Sequence, residues 1–218
     1  MEEFDVFNEN LEELEKLFPN QVSAQKRKKL RKIFDDTENY WNTNIKRFRG
    51  KKIKYLLICE APPSTGKYFY ISANTPLFKL VWKTFYSNPA SPNQNDAYKC
   101  LADLGFLLID TLLFTMNYTR LRKKPAYDTL IKKCLPWWIN KLNSNFTFDP
   151  DLKIAFGFKL NALSVIKATG GTVCLGGKNY KIHNGQIAAD KNHRWQPSTA
   201  KLGKIFQIAS KQICHRCP

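Results

Sequence analysis

The sequence predicts an α/β fold: three α/β/α layers around a central, mainly parallel sheet of four or five strands. Two observations carry this. Short apolar runs at 53–59, 106–110 and 151–158 alternate with longer segments whose apolar residues recur at helical spacing. The first two runs are apolar apart from Lys54 and Asp110, the pattern of strands covered on both faces. A chain of 218 residues, 43% of them hydrophobic, is also long enough to enclose one full core.

The elements follow in order. Residues 4–17 place Leu11, Leu14 and Leu17 on one side and Glu12, Glu13 and Glu15 on the other, which predicts an amphipathic helix. Residues 23–49 form a second helical region that carries "QKRKKLRK" and then Phe34, Tyr40, Trp41 and Phe48, and Gly50 closes it. The basic run is either a solvated face or a phosphate contact. Residues 1–50 are thus expected to be a helical region packed on the core, and 51–213 one compact domain. Within the latter, Ile53–Cys59 is a buried strand. Asn74–Tyr86 is a helix with Leu77, Leu80, Val81 and Phe85 on one face. A polar loop spans 87–95, a short helix 96–104, a strand 106–110 and a basic loop 119–128. A helix over 129–142 precedes a strand over 151–158 and a helix through Ile166. Residues 172–192 read as a hairpin or meander leading to a last strand, and 200–213 as a terminal helix.

The formal net charge is +17, from 35 Lys and Arg against 18 Asp and Glu. That balance favours a polyanionic partner, nucleic acid first. The opening residues are acidic and amphipathic, not a secretory leader, and no apolar run has bilayer length, so a cytoplasmic protein is expected. The six cysteines are then simplest as reduced thiols. Cys214 and Cys217 form one Cys-x-x-Cys pair, which cannot close a tetrahedral zinc site without two more ligands; His183, His193 and His215 are the histidines at hand. No metal is expected.

Three loops stand out, each after a predicted strand: "CEAPPSTGKYFY" from Cys59, "LLIDTLLFTMN" from Leu107 and "HRWQPSTA" from His193. In an open parallel sheet such loops gather at one edge and make one site. The trio resembles the uracil-DNA glycosylase superfamily, most nearly its thermostable branch, in which a Gly-Glu-Ala-Pro-Gly loop follows the first strand. Gly66, Phe69, Ala73 and Leu77 keep the spacing of that branch. Asp110 stands where the family ends its next strand in Asn. "KKPAYDTLIKKCLPWW" is similar to a later basic loop and Cys-containing helix, with Cys134 in the Cys place. "KIAFGFKLNALSVI" is similar to a strand-Gly-helix unit, and "QPSTA" from Gln196 to the last motif. The likeness runs in order over about residues 53–210. It departs at Cys59, which replaces Gly, and at Gln196, which replaces the histidine that stabilises the departing base. It departs again in the cysteines. The branch holds an iron–sulfur cluster through four of them; here two upstream positions are missing, a third falls near Thr115, and only Cys134 remains. The expectation is no cluster and no cofactor.

The resemblance implies excision of a base from an extruded nucleotide. Glu60 would orient or activate the water, or stabilise the positively charged sugar; otherwise it caps its loop through backbone N–H groups. Ala61, beside it, occupies the place of an Asp in the best-known branch and would border the base. Phe69 would stack on the base, a contact worth roughly 1–3 kcal/mol, with Tyr68 or Tyr70 as substitutes and a plain core role as the alternative. Asp110 would read the base. A carboxylate accepts from the N4 amino group of cytosine, whereas the family's Asn matches uracil. The clash with cytosine N3 is relieved if either group is protonated, and burial raises a carboxyl pKa. Gln196 would donate to the base O2, with His193 as the alternative donor. Ser198 would hold a phosphate, and Trp195 is packing or a wedge. Pro62, Pro63, Arg120, Arg122, Lys123, Lys124 and Lys201 are candidate DNA contacts. The expected protein is a monomeric, monofunctional DNA glycosylase acting on a flipped pyrimidine in single- or double-stranded DNA. A modified cytosine is the expected base, which would suit defence against phage. The alternatives are a uracil-DNA glycosylase of base excision repair and a non-catalytic nucleic-acid-binding protein. "PPSTGK" lacks the Gly-x4-Gly-Lys spacing of a phosphate loop.

Overall fold

Strand Lys52–Cys59 (β1) is built from residues that only a two-sided core can hide: Leu56, Leu57 and Ile58 have no exposed surface. The computed structural model describes residues 6–18, 22–87, 93–115, 125–189 and 197–212. In it β1 is the middle of three parallel strands, between Phe106–Asp110 (β2) and Thr147–Phe156 (β3). Cys59 lies beside Asp110, and Ile58 beside Phe156, so the three strands end at one edge. The chain leaves the central strand first to one side and later to the other, which opens a crevice at that edge.

The sheet is narrower than the four or five strands expected. Its next position holds a single bridge, Ile187 beside Phe156, with the Ala188 N–H donating to Phe156 O at 2.8 Å. Beyond it, Ala189 pairs antiparallel with Pro197, which has no N–H to extend a ladder. Thr172–Leu175 (β4) and Lys178–Lys181 (β5) form the expected hairpin as a separate antiparallel pair.

Three of the helices start where the sequence supplies side-chain caps. Val6–Leu17 (α1) precedes Ala24–Ile45 (α2), whose Ser23 Oγ accepts from the Lys26 N–H at 3.3 Å. Pro76–Phe85 (α3) has Pro in its first turn and Thr75 accepting from the Phe78 N–H. Gln94–Asp103 (α4) is capped by Asn93, and Ala126–Asn145 (α5) continues through Pro136. Lys159–Thr169 (α6) and Thr199–Ile205 (α7) follow β3 and the Ile187 bridge. The turn from α4 into β2 needs a glycine: Gly105 has φ +76°, and a Cβ there would sit 2.5 Å from Lys52 O. The terminal helix is shorter than the 200–213 expected. Gln207 turns left-handed at φ 56°, and the Ile208 N–H bonds Gly203 O at 2.9 Å, closing the helix.

Helices flank the sheet: α3 packs on α7, and α5 packs on α1 and α6. On one side Tyr55 of β1 meets Phe85 and Phe206, with ring centroids 5.1 and 5.3 Å away. The N-terminal helices join the same core. Phe7 meets Phe114 edge-on at 5.6 Å, and Trp41 meets both Tyr70 and Phe146 at 5.8 Å. The basic run of α2 is partly paired: Arg31 bonds Asp35, Lys32 bonds Asp36, and Arg27 reaches Glu15 of α1. Among the described residues no helix is long and apolar enough to cross a membrane.

Candidate functional site

The segment after β1 cannot become helix, because Pro62 and Pro63 follow Glu60 and Ala61 at once. It continues instead as a stitched pair with the segment after β2. The Thr111 N–H donates to Cys59 O at 3.1 Å and the Leu112 N–H to Glu60 O at 2.9 Å. Thr111 Oγ1 also donates to Glu60 O, at 3.0 Å, while accepting from Asn161 Nδ2 of α6 at 2.6 Å. The backbone of Glu60 is thereby tied to β2 and α6 before any role of its side chain arises.

These strand ends and the loop up to α3 enclose a cavity of about 500 Å³. Glu60, Ala61, Pro62 and Pro63 line it from one limb of the loop, and Tyr68 and Phe69 from the other. Leu108 and Asp110 line it from β2, Gly157 and Phe158 from the end of β3, and Pro197 from the third loop. The structure thus brings Glu60, Phe69 and Asp110 to one crevice from two strand ends and the loop between them. Cys59, half-buried, also faces it. Burial, then the neighbouring Asp110 and Glu60 carboxyls, hold its thiol well above the ordinary range, so it stays neutral. A Cβ on Gly157 would come 3.1 Å from that sulfur, so a small residue is needed opposite Cys59.

Tyr127, in the first turn of α5 and fully buried, donates its hydroxyl to Glu60 Oε1 at 2.6 Å. This bond aims the carboxyl and comes from a residue that sequence reasoning did not single out. Asp110 is only 6% exposed, and its carboxyl makes no hydrogen bond to another described residue. Burial is the first cause that raises its pKa, from an ordinary 3.8 to about 7; Lys141 lowers it, and Glu60 and Glu38 raise it further. Behind Asp110, away from the large cavity, a narrow cleft of about 10 Å³ is lined by Glu38 of α2 and Lys141 of α5. These two form an ion pair, with the Lys141 ammonium 4.4 Å from the ring centroid of Trp41 and 5.0 Å from that of Trp137. No spacing in the sequence marks Tyr127, Glu38 or Lys141; each is a polar residue on a helix whose outward face is polar anyway.

Phe69 combines its two expected positions. It lines the cavity, yet is 3% exposed and packed against Tyr70, Phe78, Tyr98 and Phe106. Tyr70 does not reach the cavity. Its hydroxyl accepts from the Leu108 N–H at 2.9 Å and donates to Leu108 O at 3.1 Å, which corrects its expected place beside the base. Tyr68, the other substitute, does line the cavity, and also the cleft behind Asp110. Ser198 is half-buried at the start of α7, with its N–H on Ala188 O. The Lys201 ammonium donates to the carbonyl oxygen of Ala189. Neither lines the cavity. His193, Trp195, Gln196, Arg120, Arg122, Lys123 and Lys124 lie outside the described residues, as do Cys214, His215 and Cys217.

Cys134 is buried in α5 with its thiol on Asn10 Oδ1 of α1 at 3.3 Å, and burial pushes its pKa up to about 12. Among the described residues no three His, Cys, Asp or Glu side chains gather as metal ligands. Comparisons with protein-family models, curated proteins and solved structures find no match for this chain.

Proposed function

We propose that the protein is a DNA glycosylase that hydrolyses the N-glycosidic bond of an extruded pyrimidine nucleotide, with a modified cytosine as its base. The observation that carries this reading is the convergence of Glu60, Phe69 and Asp110 on one cavity, with Asp110 buried and its carboxyl raised to about 7. A carboxyl in that range is protonated in a large fraction of molecules near neutral pH. It then offers a donor and an acceptor side by side, which match the N3 lone pair and the N4 amino group of cytosine. The proton has a chemical use. As the bond from C1′ to N1 breaks, its electron pair leaves with the base, and Asp110 hands its proton to N3, so that cytosine departs neutral. Uracil already carries a proton at N3 and gains nothing there.

Glu60, aimed by Tyr127, faces the sugar side. It stabilises the developing positive charge and takes a proton from the water whose oxygen bonds to C1′. The products are the free base and an abasic site. The cavity, about 500 Å³ and open to solvent, has room for a substituted base with its sugar. An unmodified pyrimidine fills only a few waters' worth of space, roughly 100 Å³. Excision of ordinary cytosine would also damage the cell's own genome, which favours a modified one and a role against phage DNA. The net charge of +17 suits a DNA partner.

The test is to incubate the protein with DNA carrying cytosine, uracil or 5-substituted cytosines, then treat with alkali and look for strand breaks. Breaks at the substituted cytosines that disappear with Glu60→Gln are expected. Cleavage at uracil alone would remove the cytosine assignment. Tight binding with no breaks on any substrate would indicate the non-catalytic reading.

A further inference from the structure

The ion pair behind Asp110 has no evident use in stability. Lys141 and Glu38 keep only 11% and 25% of their side-chain surface exposed. Removing two charges from water costs about as much as their attraction returns, and an apolar pair of similar volume commonly serves as well. Their placement, however, is specific. Asp110 forms part of the wall between the large cavity and the cleft that holds the pair. The ammonium is held by Glu38 and by the faces of two indoles, so it cannot swing away.

We propose that Lys141, held by Glu38, is a positioning residue that decides which proton state Asp110 presents to a base in the cavity. Base selection is then shared by β2, α5 and the N-terminal helix α2. The inference rests on the reading of the cavity as a base site.

The electrostatics around Asp110 are consistent with this division of labour. Facing it are Cys59 and Glu60 at the end of β1, Tyr68 and Tyr70 in the following loop, Glu38 on α2 and Lys141 on α5. Lys141 is the one cation among them and draws Asp110 toward the ionised state; Glu38 opposes it. Because Glu38 already satisfies the ammonium, Lys141 moderates Asp110 without ionising it. Burial in turn lowers the Lys141 pKa, while Glu38 and Asp110 raise it. Loss of Lys141 would therefore leave Asp110 protonated to higher pH, and loss of the Glu38 charge would ionise it earlier.

Carboxyl 13C NMR of aspartate-labelled protein reads this directly, with Asp110 assigned by its absence in Asp110→Asn. Relative to wild type, Lys141→Met should raise the Asp110 midpoint by roughly one pH unit, the scale on which one nearby charge moves a carboxyl. Glu38→Gln should lower it, and Lys141→Arg should restore it. The alkaline limb of the excision rate should move in the same directions. Midpoints that agree across all four proteins would overturn the proposal. Should Lys141→Met fail to fold, the isosteric Glu38→Gln decides alone: no downward movement refutes it. Midpoints that move in a protein with no excision on any substrate would leave the electrostatic control standing and remove the glycosylase reading.

Discussion

Replacing Asp110 with Asn keeps the shape of the side chain and removes its titration. In the folded protein the carboxyl is raised from an ordinary 3.8 to about 7, burial being the main cause. The rise is about three pH units, and at 1.36 kcal/mol per unit the linked free energy is on the order of 4 kcal/mol. This is an upper bound, because the cavity beside Asp110 admits solvent. The sign follows from proton binding. Between pH 4 and 7 the folded state holds the proton and the unfolded state does not. Stability present below the unfolded pKa is therefore lost as pH rises through the folded one. The assay is urea unfolding of wild type and Asp110→Asn, followed by circular dichroism at pH 5, 6, 7 and 8. Titrations of groups remote from Asp110 cancel in the difference, and the new amide adds a constant offset. The variant should gain on wild type steadily up to pH 7 and by a constant amount above it. A difference that stays flat across the range, or one that favours wild type increasingly toward pH 8, would refute the argument.

Tyr127→Phe removes the hydroxyl donor to Glu60 Oε1 and leaves the buried ring in place. A hydrogen bond to a charged group is worth about 1.5–3 kcal/mol, so excision should slow by roughly 10- to 150-fold with DNA binding unchanged; equal rates would show that Glu60 needs no such support. Gly105→Ala forces a Cβ to 2.5 Å from Lys52 O at a left-handed φ, and should cost about 2 kcal/mol or more in urea unfolding, whereas the same change at exposed Gly177, with nothing within 4 Å, should cost less.

Much of the fold could be read from local signals. The strands Lys52–Cys59 and Phe106–Asp110 appear at the apolar runs 55–59 and 106–109, and α3 begins at the Thr75-Pro76 cap. The width of the sheet could not be read this way. Ile187 makes a single bridge to Phe156, and its own residue type does not say that the ladder stops there. The end of α7 was hidden for a related reason: Gln207 adopts a conformation that its side chain does not advertise. The site divides similarly. Glu60 and Asp110 are visible because each ends a strand in a charge. Lys141 and Glu38 are invisible because a lysine and a glutamate on amphipathic helices look like solvent-facing residues. They become buried only when α2 and α5 close over Trp41 and Trp137. Tyr70 was misplaced because three consecutive aromatic rings share one loop, and backbone geometry alone decides which of them faces the cavity.

The Tyr70 phenol has a consequence beyond packing. β2 is a border of the sheet, and a border normally presents free amide and carbonyl groups to any passing extended chain. At Leu108 both groups are consumed by one oxygen. The Tyr70 hydroxyl thus takes the place of a neighbouring strand at the middle of the buried strand that ends in Asp110.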